Sequence, residues 1–244
     1  MPSRRSIDLR YRYLYKPLAF CACLVPFVGC VGGVLASSGQ AWARGFDLGV
    51  DPVRYVLDVL GKTALNLLLI TLLVSPVRQI TGWSNLLRLR RMLGLFAFFY
   101  ALLHFTMYIG PFQGFSWTAI VQDIAKRPFI TIGFTALVLL VPLAVTSTHK
   151  MMRRLGRRWQ QLHRLIYLIA ALGVLHYWKM LKLDWREPLI YAGILAVLLG
   201  WRVWRRWENH AHTRAAPPRP ADAPRPADAA ATSRSAVPKA PEKA

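Results

Sequence analysis

Long apolar runs alternate with short polar segments along most of the chain. Each run is close to the roughly 20 residues that an α-helix needs to cross the hydrocarbon core of a bilayer. The pattern therefore predicts an all-α integral membrane protein, a bundle of six transmembrane helices. The predicted spans are residues 17–36, 62–77, 92–109, 128–147, 162–178 and 188–204.

Composition and charge agree with this class. The chain is 55% hydrophobic and 18% charged, with a mean hydropathy of +0.30, which excludes an ordinary soluble domain. The formal net charge of +21 lies in short clusters between the apolar runs. Such clusters indicate membrane topology and contact with lipid headgroups, so no nucleic-acid partner is expected.

The basic clusters alternate with weakly charged or mixed connections. Residues 1–16, 78–91, 149–161 and 202–206 are strongly basic, and positively charged segments stay on the cytoplasmic side. Both termini are therefore predicted to be cytoplasmic. We divide the chain into a basic N-terminus (1–16), a transmembrane domain (17–207) and an Ala/Pro-rich tail (208–244) whose composition predicts disorder.

The first apolar run has two interpretations. A basic start and the sequence Ala41-Trp42-Ala43 resemble a secretory signal peptide and its cleavage site. The run is longer than a usual signal core, which favours a retained helix. Its three cysteines, Cys21, Cys23 and Cys30, are interpreted as small hydrophobic residues.

Three histidines lie inside predicted spans, His104 in the third and His163 and His176 near the two ends of the fifth. An ionisable residue in a membrane span indicates a functional site, and imidazoles of facing helices commonly ligate b-type heme iron. His176 follows His163 by thirteen residues, a rise of about 20 Å and a rotation of about 220°. Either the helix is distorted near Gly173, or the two rings meet different neighbours.

Depth in the membrane decides which histidines can share an iron. The third and fifth spans both run outward, so His104 and His176 are expected at a similar level near the periplasmic face. We predict that these two bind a heme. His163 lies at the cytoplasmic end, and the third span offers only arginines at that level.

Two residues are candidates for an inner site. His149, in the adjoining basic link, is a possible second ligand beside His163. Arg91 is a candidate partner for a heme propionate, or for an oxygen of a quinone or a flavin, because a guanidinium suits such groups. For each histidine the alternative is a hydrogen bond to a backbone carbonyl or hydroxyl.

Four segments together resemble a known family, the MsrQ (YedZ) family of the ferric-reductase-like transmembrane superfamily. The similarity extends through nearly all of residues 18–204. The segments are RRMLGLFAFFYALLHFTMY (90–108), KRPFITIG (126–133), TSTHKMMRRLGRRWQQLHRLIYL (146–168) and PLIYAGILAVLLGWR (188–202).

The resemblance implies a b-type cytochrome of the bacterial inner membrane. Members of this family take electrons from the quinone pool and pass them to a periplasmic molybdopterin subunit, MsrP, which reduces methionine sulfoxide in oxidised proteins. The resemblance gives heme-ligand roles to His104, His163 and His176, for one heme or two. It also implies bound FMN, without a location.

The absence of a Gly-x-Gly-x-x-Gly motif and of a large soluble domain favours a separate electron donor and acceptor. The chain would then be an electron-transfer subunit, with the sulfoxide chemistry on its partner. Three alternatives remain: a stand-alone reductase of ferric iron or another metal, a proton-coupled transporter with a histidine relay, and a structural anchor.

Overall fold

The computed structural model describes residues 11–37, 50–83, 85–181 and 184–215, and every regular element in these ranges is helical. A π-helical turn, Tyr11–Tyr15, precedes the first helix, and another, Tyr108–Phe112, follows the third. The α-helices are α1 (Lys16–Ser37), α2 (Pro52–Thr81), α3 (Leu86–Met107), α4 (Trp117–Lys126), α5 (Pro128–Val145), α6 (His149–Leu155), α7 (Arg157–His163), α8 (Leu165–Met180) and α9 (Arg186–Ala215).

Five helical segments are long and apolar enough to cross a membrane: Tyr13–Ala36, Pro52–Thr81, Leu86–Phe112, Pro128–Val145 and Arg186–Glu208. The predicted all-α membrane class is confirmed. The remaining predicted span, 162–178, is divided between the end of α7 and the 16-residue helix α8. At about 1.5 Å per residue α8 alone is about 24 Å long, which is shorter than the hydrocarbon core.

Helix α2 is longer at both ends than the predicted span 62–77. It begins after Asp51, whose carboxylate accepts a hydrogen bond from the Arg54 backbone N–H at 3.0 Å, and Pro52 occupies the first helical position. It ends at Gly82, which has φ +72°. The predicted start at residue 62 was therefore ten residues too late, because an N-cap aspartate followed by proline starts a helix despite nearby charges.

Pro76, near the end of the predicted span, lies inside this helix. Proline has no N–H, so the carbonyl four residues earlier, that of Leu72, loses its helical donor. The guanidinium of Arg202 on α9 donates a hydrogen bond to that carbonyl, and it also lies 5.3 Å from the centroid of the Tyr167 ring. A cation from another helix therefore supplies the donor that proline removes.

A second tertiary contact supports the turn of α1 that contains Pro26. The fully buried Tyr100 of α3 donates from its hydroxyl to the Cys23 carbonyl at 2.5 Å and accepts from the Phe27 N–H at 3.1 Å. These two backbone groups are normally partners within one helix. The hydroxyl therefore inserts into the hydrogen-bond ladder of α1, a recognised cause of a local bend.

Three short helices lie in segments predicted as connections. Ser116 caps α4 by accepting from the Ala119 N–H at 3.4 Å, and Thr148 caps α6 by accepting from the Met151 N–H at 3.3 Å. Gly156, with φ +51°, separates α6 from α7. Capping side chains explain where α4 and α6 begin, whereas α7 has no side-chain cap.

The terminal predictions lie largely outside the described residues. These are the basic segment up to residue 10, the cleavage-like residues 41–43 and the tail from residue 216. Helix α9 continues to Ala215 and so enters the predicted tail. In the second structural unit, which begins at Val203, Arg205 pairs with Glu208 at 3.0 Å.

The most extensive helix contacts in the first unit are those of α2 with α3 and of α5 with α8. Leu72, Ala97, Tyr100, Ile169 and Ala170 form the fully buried centre of the core. Each of the two helix pairs contributes one histidine to the site described next.

A paired-histidine site between two helix pairs

His104 of α3 and His176 of α8 face each other. Their ring centroids are 6.2 Å apart and their planes are inclined at 83°. The structure thus brings together, at one level, the two histidines that the depth argument pairs.

Each of these imidazoles is fixed by a backbone carbonyl of a neighbouring helix. His104 Nδ1 lies 2.9 Å from the Leu57 carbonyl of α2, and His176 Nδ1 lies 2.6 Å from the Phe129 carbonyl of α5. Because a carbonyl can only accept, the proton is on Nδ1 and the lone pair is on Nε2. Metal-binding histidines are held in the same way, with the second ring nitrogen donating to a carbonyl.

A glycine lies beneath each ring. A Cβ atom added to Gly61 would be 3.0 Å from Nδ1 and Cε1 of His104, and one added to Gly133 would be 2.7 Å from Nδ1 of His176. The two rings therefore rest against helix backbone at points where no side chain intervenes.

The spacing of the rings fits a metal ion between them. Metal–imidazole bonds are about 2.0–2.1 Å long, and a ring centroid lies about 1.1 Å behind its nitrogen, so two imidazoles on opposite sides of one metal have centroids about 6 Å apart. Within the described residues no group of three or more His, Cys, Asp or Glu side chains could hold a metal. Two imidazoles alone suit a metal that carries further ligands of its own, as heme iron does.

The two histidines line a cavity of 1180 Å³ with an apolar interior. This volume exceeds the roughly 300–1,000 Å³ typical of sites for small ligands. Charged residues line one end, and the basic ones outnumber the acidic ones. They are Arg54, Asp58, Lys62, Lys126, Arg127, Lys179, Asp184 and Glu187. The cavity suits a large apolar molecule with carboxylates at one edge.

An ion pair joins three helices at the charged end. Lys62 Nζ of α2 lies 2.8 Å from Glu187 Oε2 of α9, and the Tyr177 hydroxyl of α8 donates to the same carboxylate oxygen. The lysine and glutamate side chains are 41% and 51% exposed, so the pair adds little stability. Its effect is to hold the ends of three helices around the cavity.

His163 has different neighbours from His176, which answers the question left by their helical spacing. Its ring stacks on Trp159 with centroids 4.0 Å apart, and its Nδ1 lies 3.1 Å from the Trp159 carbonyl. Its Nε2 lies 3.5 Å from Oγ of Ser147, and that hydroxyl donates to the Leu143 carbonyl at 2.6 Å. His163 is therefore oriented and keeps an Nε2 lone pair, but the structure assigns it no second imidazole.

The two other inner candidates contact each other. Arg91 Nη1 lies 3.0 Å from Nε2 of His149, and both side chains are at the exposed surface. The guanidinium donates to the lone pair that ligation through this nitrogen would need.

Sequence reasoning missed Gly61, Gly133 and the Lys62–Glu187–Tyr177 network. One signal for the glycines was present. Leu57 and Phe129 each precede their histidine by 47 residues, and each glycine follows its carbonyl residue by one helical turn. A search for repeated spacings between glycine and histidine would have found both.

Comparison with known proteins first defines the class of this protein. Residues 60–174 match the family described as ferric reductase like transmembrane component, and this match agrees with the apolar helices in placing the chain among membrane proteins.

Curated relatives then give the particular family. The chain is 57% identical over 174 residues, 70% of its length and 79% of the relative, to the protein-methionine-sulfoxide reductase heme-binding subunit MsrQ of Xanthomonas campestris pv. campestris (strain 8004). It is 54% identical over 183 residues (73% and 84%) to that of Xanthomonas axonopodis pv. citri (strain 306). It is 46% identical over 205 residues (83% and 90%) to that of Herminiimonas arsenicoxydans. The chain belongs to the MsrQ family, which confirms the resemblance seen in the sequence.

Proposed function

We propose that this protein is a b-type cytochrome subunit that carries electrons from the quinone pool of the bacterial inner membrane to the periplasmic reductase MsrP. The observation that carries the proposal is the facing pair His104 and His176, which is oriented for a metal with its own additional ligands. The relatives named as heme-binding subunits of a methionine sulfoxide reductase support both the cofactor and the partner.

In this proposal His104 and His176 would hold heme b, with the Nε2 lone pairs as the donors. The Leu57 and Phe129 carbonyls keep both rings neutral and correctly turned. Apolar residues of the cavity wall, including Leu65, exclude water and lower the local dielectric constant. Bound heme iron would supply reversible one-electron exchange.

The charged end of the cavity would receive the heme carboxylates. Arg54, Lys126 and Arg127 line this end, and an arginine or lysine binds a carboxylate through charge-assisted hydrogen bonds. The same end includes residues from the three connections that carry mixed charges and no basic cluster. Connections of this kind are predicted to lie on the periplasmic side. This agreement supports the proposed orientation, with both termini in the cytoplasm.

We also propose that α8 is the sixth span. Phe129 at the start of α5 contacts His176 near the end of α8, and Ser147, just after α5, contacts His163, just before α8. The segment from His163 to His176 thus runs antiparallel to α5 along nearly its whole length. Because α5 is long enough to cross a membrane, the segment beside it covers the same thickness.

We propose that electrons enter on the basic, cytoplasmic side, opposite the charged end of the cavity. Arg91 and His149 present a donor-rich surface there, beside a shallow cavity of 520 Å³ lined by His149, Met152 and Arg153. Cationic donors of this kind suit an oxygen of a quinone or of FMN. His163, whose Nε2 keeps its lone pair beside Ser147, is the proposed ligand of a second heme.

Heme counting tests the ligand assignment. The purified full-length chain should show a Soret band, and His104→Ala and His176→Ala should each remove the same heme, measured as pyridine hemochrome per chain. His149→Ala, which changes an exposed histidine, is the matched control and should retain it. A colourless wild-type protein would favour a transporter or an anchor, and full heme content in both variants would overturn the assignment.

Electron delivery tests the rest of the function. Purified chain reduced by a quinol analogue should be reoxidised when purified MsrP and methionine sulfoxide are both added, as followed by the heme absorption. Reoxidation by ferric citrate, with none by MsrP and its substrate, would instead identify a stand-alone metal reductase.

A further inference from the structure

The two facing histidines are held by the same local arrangement, once in each helix pair. In both, Nδ1 donates to a carbonyl 47 residues earlier in the chain, and a glycine follows that carbonyl residue by four positions. One arrangement joins α2 to α3 and the other joins α5 to α8. These are also the two helix pairs with the most extensive contacts.

The glycine is the residue whose helical N–H normally bonds to the same carbonyl. Leu57 O therefore has two donors available, the Gly61 N–H within α2 and the His104 ring, and a carbonyl has two lone pairs with which to accept them. The second donor can approach only if nothing projects from residue 61. A Cβ there would be 3.0 Å from the ring, and one at residue 133 would be 2.7 Å from His176 Nδ1.

Such contacts are closer than an unstrained van der Waals distance, so an added methyl group must move the ring. The ring is the part that yields, because the other partner is a helix backbone. A rotation or tilt lengthens the Nδ1–H···O=C hydrogen bond and turns the imidazole plane.

We propose that Gly61 and Gly133 are positioning residues that fix the orientation and donor strength of the two imidazoles, and so tune the heme that they ligate. The inference rests on the proposed ligation by His104 and His176. A strong hydrogen bond from Nδ1–H makes the imidazole a better electron donor and favours ferric iron. Weakening it should raise the midpoint potential.

Gly94 and Gly193 lack this relation. A Cβ at Gly94, on the same helix as His104, would meet only Thr71 Cγ2 at 4.0 Å, and one at Gly193 would meet nothing within 4 Å. Alanine is also a better helix former than glycine. Gly94→Ala is therefore a matched control for the general effect of adding a methyl group to a helix of this protein.

The first experiment uses Gly61→Ala, Gly133→Ala and Gly94→Ala in the full-length chain, each with heme content, midpoint potential and the low-spin ferric EPR spectrum. We expect Gly61→Ala and Gly133→Ala to shift the EPR g-values, raise the potential and weaken heme binding by about 10–100-fold, as loss of a partner of a metal ligand does. Gly94→Ala should match wild type in all three. Spectra and potentials of the first two variants equal to those of Gly94→Ala would overturn the proposal.

Heme ligation by the two histidines and the role of the glycines are tested separately. If His104→Ala and His176→Ala keep their heme, the ligand assignment itself is wrong. If they lose it while Gly61→Ala keeps wild-type spectra and potential, only the role of the glycine is wrong.

A double-mutant cycle decides the case in which Gly61→Ala accumulates poorly. Gly61→Ala is combined with His104→Ala, and thermal unfolding of heme-free protein is compared across the four variants. If the methyl group acts by displacing the ring, its destabilising effect should disappear once the ring is removed. An equal loss of stability in both backgrounds would show that Gly61 serves helix packing alone, and would overturn the proposal.

Discussion

The buried Tyr100 hydroxyl provides the sharpest test of how this bundle is stabilised. Tyr100→Phe keeps the ring and its apolar burial and removes only the oxygen that joins the Cys23 carbonyl to the Phe27 N–H. If α1 keeps its shape, a buried donor and a buried acceptor lose their partner. Each such group costs about 1–3 kcal/mol.

The loss is limited by the helix itself. Cys23 O and Phe27 N are four residues apart, so α1 can close partly and let them bond to each other, which recovers about 0.5–1.5 kcal/mol. The two unpartnered groups together cost about 4 kcal/mol and the recovered bond returns about 1 kcal/mol, so we expect Tyr100→Phe to lower the free energy of unfolding by about 3 kcal/mol.

The measurement is thermal or denaturant unfolding of the purified protein in a fixed detergent. Tyr191→Phe is the matched control, because the Tyr191 ring packs on Tyr177 with centroids 5.4 Å apart while its hydroxyl makes no hydrogen bond within the described residues. The control should change stability by less than about 0.5 kcal/mol. Equal stability of the two variants would refute the claim that the Tyr100 hydroxyl completes the ladder of α1.

Two further contacts give predictions of the same kind. Arg202→Met removes the donor to the Leu72 carbonyl and should destabilise the protein by about 1–3 kcal/mol; in a Pro76→Ala background, where residue 76 regains its own N–H, the measured loss should be smaller, and an undiminished loss would contradict this account. Lys62→Met breaks the half-exposed pair with Glu187 and should cost under about 1 kcal/mol, an effect that shrinks as salt is added; a larger, salt-independent loss would show that the network does more than hold helix ends.

The apolar runs predicted the membrane helices because spanning a bilayer is a local property of the chain. In hydrocarbon each backbone polar group needs a partner, and a helix supplies it from within the same segment. The ends of the helices were harder to predict. At Asp51 a capping carboxylate starts the helix although charged residues lie nearby. At Pro76 the helix continues because the guanidinium of Arg202, which is distant in the sequence, replaces the missing N–H donor.

The histidine site was only partly predictable. Depth in a helix follows from the rise per residue, so the sequence placed His104 and His176 at one level. Their facing directions depend on how α3 and α8 are rotated. For His163 and His176 the sequence left two arrangements open, and the break between α7 and α8 gives them separate neighbours.

The sequence by itself determined the class of protein, the approximate spans and the pair of histidines at one depth, because hydropathy and helical rise act along the chain. Only the tertiary structure decided that each imidazole rests on a glycine and donates to a carbonyl of another helix. Such contacts depend on the distance between packed helices, which is set by side chains far apart in the sequence.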